Sequence, residues 1–299
     1  MRHIIESQQF HRELLGDLFT EATKLETAKD ESMRGKILAS LFYEPSTRTR
    51  LSFESAMQRL GGMVISTENA KEFSSAAKGE TLEDSIRIIN HYADAIVLRH
   101  FEDDAAARAA SVSDVPLINA GSGAGQHPTQ ALLDLYTIER ECGRLDGLTV
   151  ALCGDLKYGR TIRSLAYLLG KFNDVRIIFA SPDTLRVHSD IKEYLDKHKV
   201  PYAETNSLEH IVDEVDVLYQ TRVQKERFED PVLYEQVKDS FVIDAPLAQK
   251  MRKGAILMHP LPRNGEIAKE VDALPQAVYF KQAGYGVLVR MALLKFLLR

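Results

Sequence analysis

The sequence has few cysteines and no arrangement of them that would bind a metal. Cys142 and Cys153 are the only two in 299 residues. Two thiols do not make a disulfide framework in a chain of this length, and no CxxC or Cys/His cluster indicates a metal site. We therefore expect a reducing compartment, the cytoplasm, with no structural metal and no cofactor.

Long apolar runs and an excess of positive charge are also missing. Residues 1–9 are polar, and the most apolar stretch, Val287 to Leu298, is short and interrupted by Arg290 and Lys295. Neither segment can serve as a secretory signal or span a bilayer. A formal net charge of -5 argues against nucleic acid or an anionic membrane surface as the main partner. A composition that is 44% hydrophobic and 27% charged is that of a globular protein with room for two domains.

Short apolar runs alternate with segments of helical period along the whole chain. The candidate strands are Lys36–Phe42, Ala95–Leu98, Pro116–Asn119, Leu148–Cys153, Val175–Ala180, Val215–Tyr219 and Ala255–Met258. This alternation predicts an α/β fold with two domains, each a mostly parallel sheet with helices on both faces. We place the domains at 1–128 and 129–284 and expect the C-terminal helix, 285–299, to return to the first domain.

The loop after the first strand carries hydroxyls and arginines at the start of a helix. Residues 44–50 read Glu-Pro-Ser-Thr-Arg-Thr-Arg, with Ser46 or Thr47 as the N-cap. Backbone N–H groups, the helix dipole and hydroxyls together favour an anion. Arg48 and Arg50 lie two apart on a helix and point to nearly opposite sides, so we choose Arg48 for the ligand. An ordinary capped helix with solvated arginines is the alternative.

Two further loops of the first half end in polar groups. Arg99 follows the strand that ends at Leu98 and can reach the same crevice. Residues 119–130 hold three glycines, then His127 just before a helix and Gln130 in its first turn. An imidazole could polarise a carbonyl while the amide holds a neighbouring NH2. A flexible loop with a capping histidine is the alternative.

Three loops of the second half favour carboxylate binding. The segment Gly154–Thr161 nearly matches a phosphate loop, but Arg160 stands where that motif requires lysine, so an arginine for a carboxylate fits better than a nucleotide site. Arg222 and Gln224 share a side if their segment is extended. The segment His259–Arg263 holds two prolines and can present carbonyls to an amine. Surface arginines are the alternative at the last two places.

Taken together, these loops predict a site for a phosphate and at least one carboxylate, with an imidazole near the reacting centre. Three blocks also resemble, in order, the signatures of the aspartate/ornithine carbamoyltransferase superfamily: residues 46–50 (Ser-Thr-Arg-Thr-Arg), 127–130 (His-Pro-Thr-Gln) and 259–262 (His-Pro-Leu-Pro). The resemblance runs nearly end to end.

The chain is most similar to the aspartate-using members of that family. Ornithine-using members carry a cysteine where Pro260 stands, and a Ser-Met-Gly loop where this chain has Arg222-Val223-Gln224. Two donors suit a second carboxylate and would repel the side-chain cation of ornithine. The resemblance thus implies transfer of the carbamoyl group from carbamoyl phosphate to the amine of L-aspartate, a step of pyrimidine synthesis. It implies direct attack through a tetrahedral intermediate.

The resemblance also assigns roles to the loop residues. Carbamoyl phosphate would be bound by Ser46, Thr47, Arg48, Thr49, Ser74, Arg99, His127, Gln130, Pro260 and Leu261. L-aspartate would be bound by Lys78, Arg160, Thr161, Arg222 and Gln224. The catalytic residues would be Arg48, Thr49, Lys78, Arg99, His127 and Gln130.

The roles of Ser74 and Lys78 are implied only by the resemblance. In the family, a serine and a lysine at these positions reach into the neighbouring subunit's site. The resemblance therefore implies a homotrimer with shared active sites. Whether regulatory chains or a dihydroorotase join it stays open. Three alternatives remain: a carbamoyltransferase for another amino acid, such as another acidic one, a non-catalytic homologue that binds ligands or partners, and a nucleotide switch at Gly154–Thr161.

Overall fold

The computed structural model describes residues 2–70, 78–223, 228, 231–238 and 240–299. The chain forms two compact units, Met1–Leu133 with Gly284–Arg299, and Asp134–Ala283. The predicted α/β class is confirmed, because both units hold parallel sheets with helices. The sequence-based domain limits after residues 128 and 284 stay a prediction.

The first unit is built on a parallel sheet of strand order β2-β1-β3-β4. Its strands are β1 (Ile37–Phe42), β2 (Met63–Glu68), β3 (Ala95–His100) and β4 (Leu117–Ser122). Its helices are α1 (Arg12–Leu25), α2 (Thr47–Arg59), α3 (Leu82–Ile89), α4 (Ala105–Val112) and the start of α5 (Pro128–Cys142). The central strand β1 is buried on both faces from Leu38 to Phe42, as a strand covered by helices on two sides must be.

The second unit is built on a parallel sheet of strand order β7-β6-β5-β8-β9. Its strands are β5 (Thr149–Cys153), β6 (Arg176–Ala180), β7 (Tyr202–Thr205), β8 (Val217–Gln220) and β9 (Ile256–Met258). Its helices, after the end of α5, are α6 (Arg160–Leu169), α7 (Ser189–Lys197), α8 (Pro231–Val237), α9 (Ala245–Gln249) and the start of α10 (Tyr279–Leu298).

The sequence missed β2 and β7, which both lie at a sheet edge. Their residues are mostly exposed or half-buried, so neither shows the continuous apolar run of a buried parallel strand. The last helix also begins earlier than predicted, at Tyr279 rather than about Tyr285, and its first turn is anchored in the second unit by the buried Tyr279 and Gln282. From Gly284 onward it belongs to the first unit, where Lys295 pairs with Glu21 and Asp30.

Strand order fixes where each unit can bind a ligand. In the first sheet the chain moves from β1 to β2 on one side and returns to β3 on the other. In the second it moves from β5 outward to β7 and returns to β8 on the other side. Open parallel sheets bind ligands outside the carboxyl ends of strands at such a reversal. Ligands are therefore expected at the loops after β1 and β3, and at those after β5 and β8.

Candidate active site

The loop after β1 leads into α2 with the geometry of an anion site. Ser46 is the N-cap residue, as predicted, but its side chain makes no capping hydrogen bond. It therefore does not satisfy the N–H groups of the first turn. Thr47 begins the helix and is exposed, whereas Thr49 is 6% exposed. A helix N-terminus beside two hydroxyls favours a phosphate here.

The two arginines of this helix differ in their surroundings. Arg50 is bound to Glu54 at 3.3 Å and to Glu68 at 2.9 Å, and its side chain is 22% exposed. Arg48 is exposed. Since Arg50 serves to join α2 to β2, the geometry favours Arg48 as the ligand arginine.

Arg99 lies at the neighbouring carboxyl end, beside β1. Its side chain is 11% exposed, and its guanidinium pairs with the Glu44 carboxylate at 2.9 Å. The two strands are held in register there by the Tyr43 N–H, which donates to the Arg99 carbonyl at 2.9 Å. Glu44, which the sequence analysis did not single out, therefore competes with any substrate anion for Arg99.

His100, the residue after Arg99, has a structural role. Its ring packs on Tyr43 and Phe101, and its Nδ1 accepts the Glu102 N–H at 3.1 Å. Burial lowers the pKa of His100. The ring is thus a neutral packing element next to Arg99.

The glycine-rich loop after β4 is closed by its own residues. Gly121 and Gly123 have φ of +116° and +46°, as the prediction of unusual backbone requires. A Cβ at Gly123 would stand 1.8 Å from the Asp103 carboxylate, which accepts the Ala124 N–H at 2.7 Å. Asp103 therefore occupies the space that Gly123 leaves open, whereas the sequence predicts the close approach of a ligand there.

His127 and Gln130 come together at the start of α5. The His127 carbonyl accepts the Gln130 N–H at 3.0 Å, so both residues belong to the first turn. Their side chains are buried to 4% and 8% exposure, and His127 Nδ1 lies 3.4 Å from the Thr129 hydroxyl. The imidazole of His127, fixed in place, can bind a carbonyl oxygen, and the Gln130 amide beside it can bind an NH2 group.

The loop that precedes α3 holds one predicted residue in the described part and one outside it. Lys78 is exposed, immediately before Gly79 with φ of +91°. Ser74 lies outside the described residues. The Ser85 hydroxyl donates to Glu80 at 2.6 Å, so the far end of this loop is tied to α3.

In the second unit, the loop after β5 delivers two residues to a helix start. Gly159 is the N-cap of α6, and Arg160 and Thr161 are its first two residues. Asp155 is buried in the loop, and its carboxylate accepts the Tyr158 N–H at 2.9 Å. A carboxylate that takes a loop N–H opposes phosphate, so the nucleotide-switch alternative loses its structural support.

The loop after β8 is fixed to β5 next door. Thr221 donates to the Cys153 carbonyl through both its N–H and its hydroxyl, each at 2.9 Å. A Cβ at Gly154 would stand 2.3 Å from the Thr221 carbonyl, so only glycine fits there. Arg222 follows and is half-buried, whereas Gln224 lies outside the described residues.

The loop after β9 has a strained residue held by a histidine. Leu261 has φ of +55°, which is costly for a branched side chain. Its N–H donates to His259 Nδ1 at 2.8 Å, and His259 Nε2 lies 2.8 Å from the Glu266 carboxylate. Because Nδ1 accepts, the ring proton must be on Nε2. Burial opposes ionisation of Glu266, but hydrogen bonds from His259 and the backbone outweigh it and lower the Glu266 pKa.

The two cysteine thiols are not activated for nucleophilic chemistry. Burial raises the pKa of Cys142 to about 11, and it raises the pKa of Cys153 as well. Among the residues that the structure describes, no group of three His, Cys, Asp or Glu side chains is placed to hold a metal ion. None of the described helices is both long and apolar enough to cross a lipid bilayer.

Sequence reasoning missed a buried polar cluster in the second unit. It contains Asp134, Tyr219, Gln282 and Glu266, which are at most 7% exposed. One signal was available: Asp134 lies four residues after Gln130 and so shares its helix face. The others are far apart in sequence, and only the fold brings them together.

The chain is similar to known proteins over nearly its whole length. Residues 2–140 match the family model of the aspartate/ornithine carbamoyltransferase carbamoyl-P binding domain, and residues 146–297 match that of the Asp/Orn binding domain. Aspartate carbamoyltransferase 3, chloroplastic, of Pisum sativum is 56% identical over 99% of this chain and 77% of its own length.

Two solved structures are also close. The catalytic subunit of M. jannaschii aspartate transcarbamoylase is 52% identical with a TM-score of 0.91, over 99% of this chain and 98% of its own. Aspartate transcarbamoylase from Trypanosoma cruzi, in complex with carbamoyl phosphate and aspartate, is 41% identical with a TM-score of 0.93, over 98% of this chain and 95% of its own.

Proposed function

We infer from its sequence and structure that the chain, which belongs to the aspartate/ornithine carbamoyltransferase family, is an enzyme with aspartate carbamoyltransferase activity. It transfers the carbamoyl group from carbamoyl phosphate to the amine of L-aspartate and forms N-carbamoyl-L-aspartate and phosphate. The observation that carries this conclusion is the 52–56% identity to such enzymes over at least 99% of the chain.

Carbamoyl phosphate is assigned to the loops of the first unit. We propose that the N–H groups and hydroxyls of Ser46, Thr47 and Thr49 receive the phosphate together with Arg48. Arg99, exchanging Glu44 for substrate, joins Thr49 and His127 at the carbonyl oxygen. Gln130 is proposed to hold the carbamoyl NH2, and Pro260 and Leu261 stay proposed ligands through their main-chain carbonyls. Ser74 stays a proposed phosphate ligand.

L-aspartate is assigned to the second unit. Arg160 and Thr161 at the start of α6, with Arg222 and Gln224 after β8, are proposed to take the two carboxylates, and Lys78 adds a cation. Arginine is suited to bidentate carboxylate binding. The helix N-terminus adds a positive end to the same loop cluster.

The chemistry needs positioned donors and no covalent intermediate between substrate and enzyme. The amine nitrogen of aspartate attacks the carbamoyl carbon, and the C–N bond forms while the oxyanion is held by Thr49, Arg99 and His127. The carbon–oxygen bond to phosphate then breaks, and the departing phosphate accepts the amine proton. Positioning two anions against their repulsion and stabilising the oxyanion account for the rate.

The choice of amino acid is open to a direct test. Purified chain is expected to carbamoylate L-aspartate, and L-ornithine is expected to give a rate at least about a hundredfold lower because a buried cation would face Arg222. Product formation from carbamoyl phosphate with a panel that includes L-glutamate and L-ornithine is the measurement. Activity with ornithine and none with aspartate would contradict the assignment.

Arg222 is expected to act on aspartate and not on carbamoyl phosphate. Arg222→Ala should raise the aspartate KM about 10- to 100-fold, since it removes a charged hydrogen-bond donor, while the carbamoyl phosphate KM changes little. Arg176→Ala is the matched control, because Arg176 is exposed at the amino end of β6, away from the site. Equal rises in both KM values would count against separate half-sites.

A homotrimer with shared sites is proposed as the working assembly. The first unit exposes three large apolar side chains on α2 and β2: Leu51 at 50%, Met63 at 52% and Ile65 at 39%. Apolar side chains grouped at a sheet edge favour a contact with another copy. Lys78 is exposed near this unit's surface, as a residue that serves a neighbour would be. Native mass would establish the trimer and reveal whether regulatory chains or a dihydroorotase join it.

A cytoplasmic location and a step in pyrimidine synthesis complete the proposal. Both cysteines are free, which is the normal state in a reducing compartment. The relatives include chloroplastic proteins of pea, so fractionation of the source cells is the deciding measurement.

A further inference from the structure

Asp134 is a buried carboxylate with two side-chain partners on different elements. It is the first residue of the second unit and is fully buried on α5. One oxygen accepts the Tyr219 hydroxyl at 2.7 Å, and the other accepts the Gln282 amide at 2.6 Å. Neutral hydrogen-bond donors on both oxygens fix the orientation of the carboxylate.

The Tyr219 branch leads to Thr161. Tyr219 lies on β8 and is fully buried. A carboxylate only accepts, so the single hydroxyl hydrogen of Tyr219 is engaged by Asp134. Burial and the Asp134 charge keep the pKa of Tyr219 well above its usual value, and the phenol oxygen is hydrogen-bonded to Thr161. With its own hydrogen engaged, Tyr219 can only accept from Thr161.

This direction decides what Thr161 offers to a substrate. Its hydroxyl hydrogen points inward to Tyr219, which leaves oxygen lone pairs facing outward. The hydroxyl is therefore suited to accept an N–H of the incoming amine, while the Thr161 main-chain N–H, at the second residue of α6, is suited to a carboxylate.

The Gln282 branch leads to the loop after β9. The Gln282 carbonyl oxygen accepts the His259 N–H at 2.9 Å. His259 in turn holds the strained Leu261 through Nδ1, and Glu266 holds the far side of its ring. Every link of this branch is a hydrogen bond within the second unit. Gln282, His259 and Glu266 are at most 7% exposed, and Leu261 is half-buried.

We propose that Asp134 is a positioning residue whose carboxylate sets both the Thr161 hydroxyl, through Tyr219, and the Pro260–Leu261 main chain, through Gln282 and His259. The inference rests on the proposed function of those two places. A single buried charge thereby orients the groups that meet the amine and the carbamoyl NH2.

Asp134→Asn is the central variant, because the amide keeps the size of the side chain but turns one acceptor into a donor. Asparagine offers one acceptor oxygen to two donors. Its NH2 therefore faces either Tyr219, which makes the phenol donate to Thr161 and reverses the Thr161 hydroxyl, or Gln282, which loosens the His259 loop. We expect the aspartate KM to rise about tenfold and kcat to fall about tenfold, with the carbamoyl phosphate KM within about twofold of wild type.

Tyr219→Phe separates the two branches. It removes one oxygen and leaves the Gln282 branch intact. The aspartate KM should rise about five- to tenfold while kcat stays within about twofold. Adding Asp134→Asn to this variant should not raise the aspartate KM further, since both changes act through the same hydroxyl.

Asp216→Asn is the matched control. Asp216 is 8% exposed in the same unit, at the amino end of β8, and its carboxylate accepts the Thr149 N–H and an Arg144 donor at 2.8 Å each. It should lower the melting temperature and leave kcat and both KM values unchanged. The same pattern in Asp134→Asn would overturn the proposal and make Asp134 merely structural.

A readout independent of turnover separates this inference from the proposed function. Hydrogen exchange at the Leu261 amide should become faster in Asp134→Asn and stay unchanged in Asp216→Asn. Wild-type chain inactive on aspartate would refute the function alone, and unchanged Leu261 exchange with unchanged kinetics would refute the positioning role alone. If Asp134→Asn does not fold, Tyr219→Phe still decides through its KM-against-kcat split.

Discussion

Replacing Arg48 with alanine is expected to lower kcat/KM for carbamoyl phosphate by about 10²–10³-fold. The guanidinium is exposed at the start of α2, beside the N–H groups and hydroxyls of residues 46–49. Losing a charged partner of a bound anion costs about 3–4 kcal/mol, which gives that factor. Initial rates across carbamoyl phosphate concentrations at saturating aspartate measure it.

Arg50→Ala is the control that makes this test sharp. It removes the same side chain two residues away on the same helix, but Arg50 is held by Glu54 and Glu68. We expect a modest loss of thermal stability, about 1 kcal/mol or less, and little change in the carbamoyl phosphate KM. If Arg50→Ala has the larger kinetic effect, the choice between the two arginines is wrong.

Mixing two inactive variants is expected to restore activity if sites are shared between subunits. Lys78→Ala chains keep His127, and His127→Ala chains keep Lys78. In a cyclic trimer, a site formed by one chain's His127 and its neighbour's Lys78 is intact when the two types adjoin in the right order. Random equal mixing gives about one intact site in four, so roughly a quarter of wild-type activity should return.

The control for this experiment uses two defects in the same half-site. His127→Ala mixed with Gln130→Ala should recover nothing, because both residues lie in the first turn of α5 and every site then carries one defect. Subunit exchange is checked by mass in both mixtures. Hybrid trimers of the Lys78 and His127 variants without activity would refute the shared site.

The buried strands could be predicted from the sequence because a strand that is buried on both faces consists mostly of apolar residues. The pattern predicts a strand at Lys36–Phe42, and β1 forms there as Ile37–Phe42, with Ser40 as the one polar residue of an otherwise apolar run. Met63–Glu68 is half solvated, and its sequence carries no comparable signal. Edge strands are defined by pairing with a distant partner, and local pattern does not encode that pairing.

The site residues divide in the same way. Arg48 and His127 could be predicted because the sequence within a few residues of each indicates the start of a helix. Glu44 beside Arg99, and Tyr219 beside Asp134, depend on strands and helices that are far apart in sequence. Thr161 is a further example: the resemblance assigns it to aspartate binding, and only the fold brings Tyr219 to its hydroxyl, which the proposed direction turns into an acceptor.

The two edge strands of the first sheet, β2 and β4, differ in whether another segment of the chain pairs with them. At β4, Ile4 forms a parallel bridge to Ile118, with backbone hydrogen bonds of 2.8 Å on both sides, so the chain's own start covers that edge. In the described chain, β2 pairs only with β1. A dissociated protomer would present an uncovered strand edge beside Met63 and Ile65, a template for aggregation. In the proposed trimer, dissociation would therefore open the shared sites and expose this edge at the same time.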